Sequence, residues 1–220
     1  YIDWNLYSRL GQLFLKQFTE EREIAIHFLI DKSRSMAFGE PSKFKLAVKI
    51  AAAIGYIGLT QLDKVGAVFF SDSLDREIDA GKGKDWVNEY FDFLSKDEAN
   101  GNTNINKALS DFSYLYNKPG LLIILSDFLD DKGYQTGLKK IKSKDWQVLI
   151  VQTMSREEID PDFKGEVQLI DMENNERKEI NFNQDTLSKY KQRLKNYCSQ
   201  IKQFSNKYDI DYPPSDKRKE

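Results

Sequence analysis

The sequence predicts an α/β domain in which a Rossmann-like, mostly parallel central sheet is flanked by helices. The first observation is a series of four short apolar runs: Glu23–Asp31, Val65–Ser71, Leu121–Ser126 and Gln147–Thr153. Near-continuous apolar runs are typical of parallel strands, which are covered on both faces. The second observation is that helical patterns lie between most of these runs. This alternation indicates right-handed strand–helix–strand crossovers.

The first predicted helix runs from Ser42 to Gln61 and connects the first two strands. Pro41 and Ser42 mark its start, and apolar residues recur after them at helical spacing. Three further helices are predicted near Trp86–Leu94, Ile105–Tyr116 and Tyr134–Ile141.

The C-terminal part of the chain predicts a β-hairpin followed by a long helix. Glu166–Asp171 and Arg177–Asn181 flank a turn and indicate a hairpin at the sheet edge. An apolar stripe from Leu187 to Tyr208 then recurs in steps of three and four residues. We expect this stripe to pack on the sheet. A partner helix or coiled coil is the alternative, although the repeat of about three heptads is short for such an assembly.

The 220 residues suit one domain, which we place at residues 23–212, with residues 1–22 as a lead-in segment that packs on it and residues 213–220 as a solvated tail. The formal net charge of −2 gives no general attraction to nucleic acid. A lone cysteine, Cys198, argues for a cytoplasmic protein without structural zinc. Ile50–Leu62 is too short to span a membrane, which takes about 20 apolar residues, so we expect a buried helix there.

Oxygen-bearing side chains cluster where two of the predicted strands end. Asp31, Ser33 and Ser35 follow the first strand, and Asp127 follows the strand Leu121–Ser126. Ligands of open α/β sheets bind beyond the carboxyl ends of the strands, so these side chains can face one crevice. Thr103 precedes a predicted helix and can add a third hydroxyl. All five donors are hard oxygens, which favour Mg²⁺ or Mn²⁺ over zinc and copper.

The charge of this set predicts an incomplete coordination sphere. Two carboxylates only neutralise a divalent ion, and hydroxyls donate little electron density, so the metal stays electrophilic. It can therefore accept one more anionic oxygen, and an Asp or Glu side chain of a partner protein is a natural donor.

The order Asp-x-Ser-x-Ser, isolated Thr, strand-terminal Asp resembles the metal-ion-dependent adhesion site of von Willebrand factor A domains. The wider chain resembles the bacterial domain-of-unknown-function 58 family, whose members carry such a domain. The residues that carry this second resemblance are Ile2–Trp4, Ser8–Arg9, Phe18–Glu21, Asp31–Met36, Gly39, Lys43–Phe44, Asp63–Gly66 and Ser126–Phe128. The resemblance covers nearly the whole chain to about Tyr212.

The resemblance implies a von Willebrand factor A-type fold that acts in protein–protein interaction, often as an adaptor or chaperone-like partner of a MoxR-type AAA+ ATPase. One position departs from the family's pattern. Where the family often has Gly-Gly-Thr-Asp, this chain has Gly101-Asn102-Thr103-Asn104. The change removes a nearby acid, and we expect it to weaken metal binding.

Alternatives remain open at this point. The Asp, Ser and Thr side chains could cap turns and helices instead of binding metal. A metal-dependent hydrolase or phosphatase could use Asp31 and Asp127, although the sequence contains no convincing catalytic constellation. A metal-free scaffold is the third reading. His27 lies inside the first apolar run, and we interpret it as a core residue.

Overall fold

The computed structural model describes residues 25–161, 165–170, 177–182 and 184–213. The predicted lead-in segment lies outside these residues, as does the tail beyond Pro213. Five strands form the central sheet: β1 (Ala25–Asp31), β2 (Lys64–Phe70), β3 (Leu74–Gly81), β4 (Leu121–Ser126) and β5 (Gln147–Gln152). Their spatial order is β3–β2–β1–β4–β5, which puts β1 at the centre.

The sheet is parallel except at one edge, which confirms the predicted fold class. β1 pairs in parallel with β2 and with β4, and β4 pairs in parallel with β5. The antiparallel edge strand β3 was not predicted. Its residues alternate between half-buried and exposed positions, with Asp75, Glu77 and Asp79 exposed, so it contains no continuous apolar run.

The described parts of the chain contain six helices: α1 (Lys43–Thr60), α2 (Lys84–Ser95), α3 (Ile105–Leu115), α4 (Gln135–Lys142), α5 (Arg156–Ile159) and α6 (Gln184–Lys207). A 3₁₀ turn, Arg34–Ala37, separates β1 from α1. The predicted helices are present, with ends that differ by one or two residues. Ser42 caps α1, because its side chain accepts a hydrogen bond from the Lys45 N–H.

Two apolar layers cover the sheet, because successive side chains of β1 point to opposite faces. Phe28 and Ile30 pack with residues of α1 and α2, whereas Leu29 packs with residues of α3, α4 and α6. Ile201 on α6 is fully buried in the second layer, with Phe204 packed against the same layer. The part of the stripe from Tyr197 to Tyr208 therefore packs on the sheet, as predicted.

The predicted β-hairpin is present as β6 (Gly165–Ile170) and β7 (Arg177–Phe182). These strands pair antiparallel with each other and form a sheet of their own, so the hairpin does not extend the central sheet at its edge, where it was predicted.

The apolar stretch Ile50–Leu62 is buried on one side only. Ala51 and Leu59 face the core, but Tyr56, Ile57 and Leu62 are exposed, so the prediction of a buried helix was wrong for its outer face. Among the described residues, no helix combines the length with the apolar character that crossing a membrane requires.

A short segment after α6 returns to the sheet at its β5 edge. Asp211 forms a parallel bridge with Leu149, donating its N–H to the Val148 carbonyl and accepting from the Ile150 N–H. Both hydrogen bonds are 2.8–2.9 Å long. The end of the domain is thereby attached to the outer strand.

The packing of α1 on α2 gives a test of the fold. A Cβ placed on Gly55 would lie 2.5 Å from the ring of Tyr90, which is fully buried and donates its hydroxyl to the Ala51 carbonyl. We expect Gly55→Ala to lower the free energy of unfolding by about 1–3 kcal/mol, because the ring has to shift within a packed core. Urea denaturation measures this change.

Lys49→Ala, on the exposed side of the same helix, is the matched control and should change the free energy of unfolding by less than about 0.5 kcal/mol. A Gly55→Ala protein as stable as wild type would contradict the close packing of Tyr90.

Candidate metal site

The register of the sheet brings two carboxylates together. Ile30 on β1 lies opposite Leu125 on β4, so the chains continue side by side into Asp31 and into Ser126-Asp127. The chain leaves β1 toward β2 on one side, while β4 lies on the other. The carboxyl end of β1 is therefore a topological switch point, where open α/β sheets bind ligands.

Asp31 is fully buried, and each of its two carboxylate oxygens accepts a hydrogen bond. Its Oδ1 accepts from the Ser33 N–H at 2.8 Å, and its Oδ2 accepts from the Ser126 hydroxyl at 2.6 Å. The first contact is the turn cap that we considered as an alternative. The second ties the end of β1 to the end of β4.

Ser33, Ser35 and Asp127 form a chain of contacts beside Asp31. The hydroxyls of Ser33 and Ser35 are 3.1 Å apart, and the Ser35 hydroxyl donates to Asp127 Oδ2 at 2.9 Å. Asp127 Oδ1 accepts from the Leu129 N–H at 2.9 Å and so caps the following turn. Hydrogen bonds therefore connect Ser33, Ser35 and Asp127 directly, next to the Asp31 carboxylate.

Thr103 lies in a loop that is hydrogen-bonded to the Asp31–Ser35 loop. The Asn100 N–H donates to the Lys32 carbonyl at 2.5 Å, and the Arg34 N–H donates to the Gly101 carbonyl at 2.9 Å. Thr103 itself is buried. The three loops of the predicted site thus meet at one end of the sheet.

Asn104 has a different role from the one suggested by the sequence. Its side-chain oxygen accepts from the Lys107 N–H at 3.0 Å, so Asn104, and not Thr103, caps α3. A carboxylate at this position could form the same cap. The departure from Gly-Gly-Thr-Asp therefore leaves the helix cap intact.

Lys43 and Glu158 adjoin the site and were not among the predicted site residues. The Lys43 ammonium is 2.7 Å from Asp127 Oδ2 and 2.6 Å from Glu158 Oε1, and the lysine side chain is only 1% exposed. Lys43 shares the buried face of α1 with Ala47 and Ala51, which lie four and eight residues further on. The sequence did contain a signal for this residue, because helical spacing places Lys43 on the same apolar face as Ala47 and Ala51.

The charges around the site affect the ionisation of Asp31 and of Lys43. Burial, followed by the negative charge of Asp127, raises the pKa of the Asp31 carboxyl to about 7, although hydrogen bonds from Ser126 and Ser33 oppose the shift. Burial would lower the pKa of the Lys43 ammonium, but Asp127 and Glu158 more than offset this and raise it. Lys43 therefore stays positively charged, whereas ionisation of the Asp31 carboxyl costs electrostatic free energy.

The donor set fits a hard divalent cation. Two carboxylates and two serine hydroxyls converge, and a divalent ion would relieve the repulsion between Asp31 and Asp127. Within the described ranges there is no group of three or more His, Cys, Asp or Glu side chains placed to hold a metal, which is unlike common zinc sites. Mg²⁺ or Mn²⁺ binding by Asp31, Ser33, Ser35, Thr103 and Asp127 stays a prediction.

His27 lies outside the candidate site. It is near the opposite end of β1, among the rings of Phe112, Tyr116 and Trp146. Burial lowers the pKa of its imidazole to about 4, despite the opposing charge of Asp79, so it is neutral near pH 7. The interpretation of His27 as a core residue is confirmed.

The raised pKa of Asp31 leads to a test by pH. Because this pKa lies above the unfolded value, the protonated carboxyl stabilises the fold, and the contribution is lost as the pH rises through about 7. Without metal at pH 8, we expect Asp31→Asn to raise the free energy of unfolding by about 2 kcal/mol, and at pH 5 this difference should shrink. Urea denaturation at both pH values measures it.

In millimolar Mg²⁺ at pH 8, we expect wild type to be more stable than Asp31→Asn, since only wild type retains the Asp31 carboxylate as a metal ligand. A variant that is less stable than wild type at pH 8 in EDTA would contradict the electrostatic description of Asp31.

Comparison with solved structures shows a similar overall fold in an aerotolerance-related membrane protein from Bacteroides fragilis. The TM-score is 0.53 at 14% identity, over 88% of this chain and 92% of that one. Weaker matches are BatB from Bacteroides thetaiotaomicron, with a TM-score of 0.47 at 15% identity over 84% and 98% of the two chains, and a von Willebrand factor type A protein from Catenulispora acidiphila. The latter has a TM-score of 0.45 at 18% identity, over 58% and 32%.

Comparison of sequences gives distant relatives and a family. Uncharacterized proteins of Mycobacterium tuberculosis and Mycobacterium bovis are 23% identical over 177 residues, which are 78% of this chain and 56% of theirs. The chain thus spans about half the length of these curated relatives. Residues 1–198 match the family described as "Protein of unknown function DUF58". The chain belongs to this DUF58 family.

Proposed function

We propose that this protein is a divalent-metal-dependent protein–protein interaction module. The observation that carries the proposal is the convergence of Asp31 and Asp127 with the hydroxyls of Ser33 and Ser35 at the switch point of the sheet. Such a set neutralises Mg²⁺ or Mn²⁺ without saturating it. A carboxylate from a partner protein then completes the coordination.

The burial of the site residues supports approach from one direction only. Asp31, Ser33 and Asp127 are fully buried, whereas Ser35 is half-buried. Arg34, next to Ser35, and Asn102, next to Thr103, are exposed on their two loops. A partner's acidic side chain therefore enters between these loops, beside Ser35.

A hydrolase or phosphatase that uses Asp31 as nucleophile fits the contacts poorly. The Asp31 side chain is fully buried, so neither of its oxygens is presented to a substrate for attack. His27 lies near the other end of β1 and is therefore not placed to act as a general base. The other form of this alternative is a hydrolase in which a bound metal activates a water molecule, and an assay has to test it.

The identity of the partner rests on the family resemblance. We propose a MoxR-type AAA+ ATPase that presents an acidic side chain, with this domain as its adaptor or chaperone-like partner in the cytoplasm. The chain spans about half the length of its curated relatives, so other regions of the whole protein can contribute further contacts.

Affinity capture from native lysate tests the proposal, with wild type and Asp31→Ala compared in Mg²⁺ and in EDTA. We expect wild type to retain an ATPase in Mg²⁺, and we expect EDTA or the substitution to abolish retention, because either one removes the metal-bound contact. Mass spectrometry of the retained proteins identifies the partner. Asp131→Ala, an exposed acid in the loop after β4, is the matched control and should behave as wild type.

Each other outcome selects an alternative. Retention that is equal in EDTA and in Mg²⁺ indicates a metal-free scaffold. Metal-dependent turnover of phosphoesters that is lost in Asp31→Asn indicates a hydrolase instead.

A further inference from the structure

A lysine ammonium already occupies part of the candidate metal site. Asp127 Oδ2 accepts from the Ser35 hydroxyl at 2.9 Å and from the Lys43 ammonium at 2.7 Å. Asp127 is also a predicted metal ligand. The lysine and a metal ion would therefore compete for the same carboxylate oxygen.

Glu158 provides a second carboxylate for this lysine. Its Oε1 accepts from the Lys43 ammonium at 2.6 Å. The cluster of Asp31, Asp127, Glu158 and Lys43 contains three carboxylates and one ammonium. When all are ionised, two net negative charges remain, which match one divalent cation.

Glu158 is held firmly in this position. It forms a capping box with Ser155, in which Glu158 Oε2 accepts from the Ser155 N–H at 2.9 Å and the Ser155 hydroxyl accepts from the Glu158 N–H at 3.2 Å. The Glu158 carbonyl accepts from the Tyr190 hydroxyl of α6 at 2.7 Å. Ser155 in turn packs closely against Gly39, in the loop that leads into α1.

We propose that Glu158 is a positioning residue that retains the Lys43 ammonium when a divalent metal takes Asp127, and that it thereby sets the affinity of the site for metal. The proposal rests on the proposed function, since it requires metal at Asp127. Without the charge of Glu158, Asp127 is the remaining carboxylate partner of Lys43 among the described contacts. The ammonium would then hold Asp127 and exclude the metal.

Glu158→Gln tests the inference, because glutamine can keep the capping box while it removes the charge. Isothermal titration with Mg²⁺ at pH 8 measures the dissociation constant. We expect binding to weaken by about tenfold, the lower end of the range for residues that orient metal ligands. Glu157→Gln, the neighbouring acid on α5, should leave the dissociation constant unchanged.

Two further variants separate the charge effect from a folding effect. Ser155→Ala removes the hydroxyl that accepts from the Glu158 N–H but keeps the backbone N–H that donates to Glu158 Oε2, so we expect a lower melting temperature with unchanged Mg²⁺ affinity. Lys43→Met combined with Glu158→Gln removes the competing ammonium, and we expect this double variant to bind Mg²⁺ more tightly than Glu158→Gln alone.

The outcomes distinguish this inference from the proposed function. Wild-type affinity in Glu158→Gln overturns the inference but leaves metal-dependent binding intact. Mg²⁺ binding that is weakened equally in Glu158→Gln and in the double variant with Lys43→Met also overturns the inference, since Glu158 would then act independently of Lys43. A silent titration of wild type with both Mg²⁺ and Mn²⁺ overturns the proposed function together with the inference.

Discussion

Asp31 and Asp127 end adjacent parallel strands, and the pairing of β1 with β4 holds their negative charges together inside the protein. Carboxylates that are buried side by side repel each other and lose hydration, so the surrounding chain has to supply compensating groups. It does so with the Ser126 hydroxyl, with the Ser35 hydroxyl and with the ammonium of Lys43. The loops beyond the strands take their conformation largely from these contacts.

The parallel strands of the sheet were predictable because both of their faces are covered. Strands of this kind appear in the sequence as apolar runs, and the four runs predict β1, β2, β4 and β5. The antiparallel strand β3 was not predictable in this way, because one of its faces is exposed and its Asp and Glu residues alternate with half-buried ones. The α1 helix shows the same limit, because an apolar run does not reveal that Tyr56 and Ile57 face outward.

The site residues that directly follow the ends of strands were predictable from the sequence. The residues that reach the site from helices were not. Asp31, Ser33, Ser35 and Asp127 come together because β1 and β4 are neighbours. Lys43 and Glu158 come from the start of α1 and from α5, and only the packing of these helices shows that they meet. A capping-box sequence signals a helix start. It does not signal that the glutamate also holds a buried lysine.

The attachment of Asp211 beside β5 affects whether another chain can add a strand to the sheet. A bare outer strand invites an extended peptide to join the sheet, which is a common route to both recognition and aggregation. Here the segment at Asp211 uses the Val148 carbonyl and the Ile150 N–H, and at the opposite edge β3 carries register shifts and a row of acids. Both lateral borders of the sheet thus discourage the addition of a further strand.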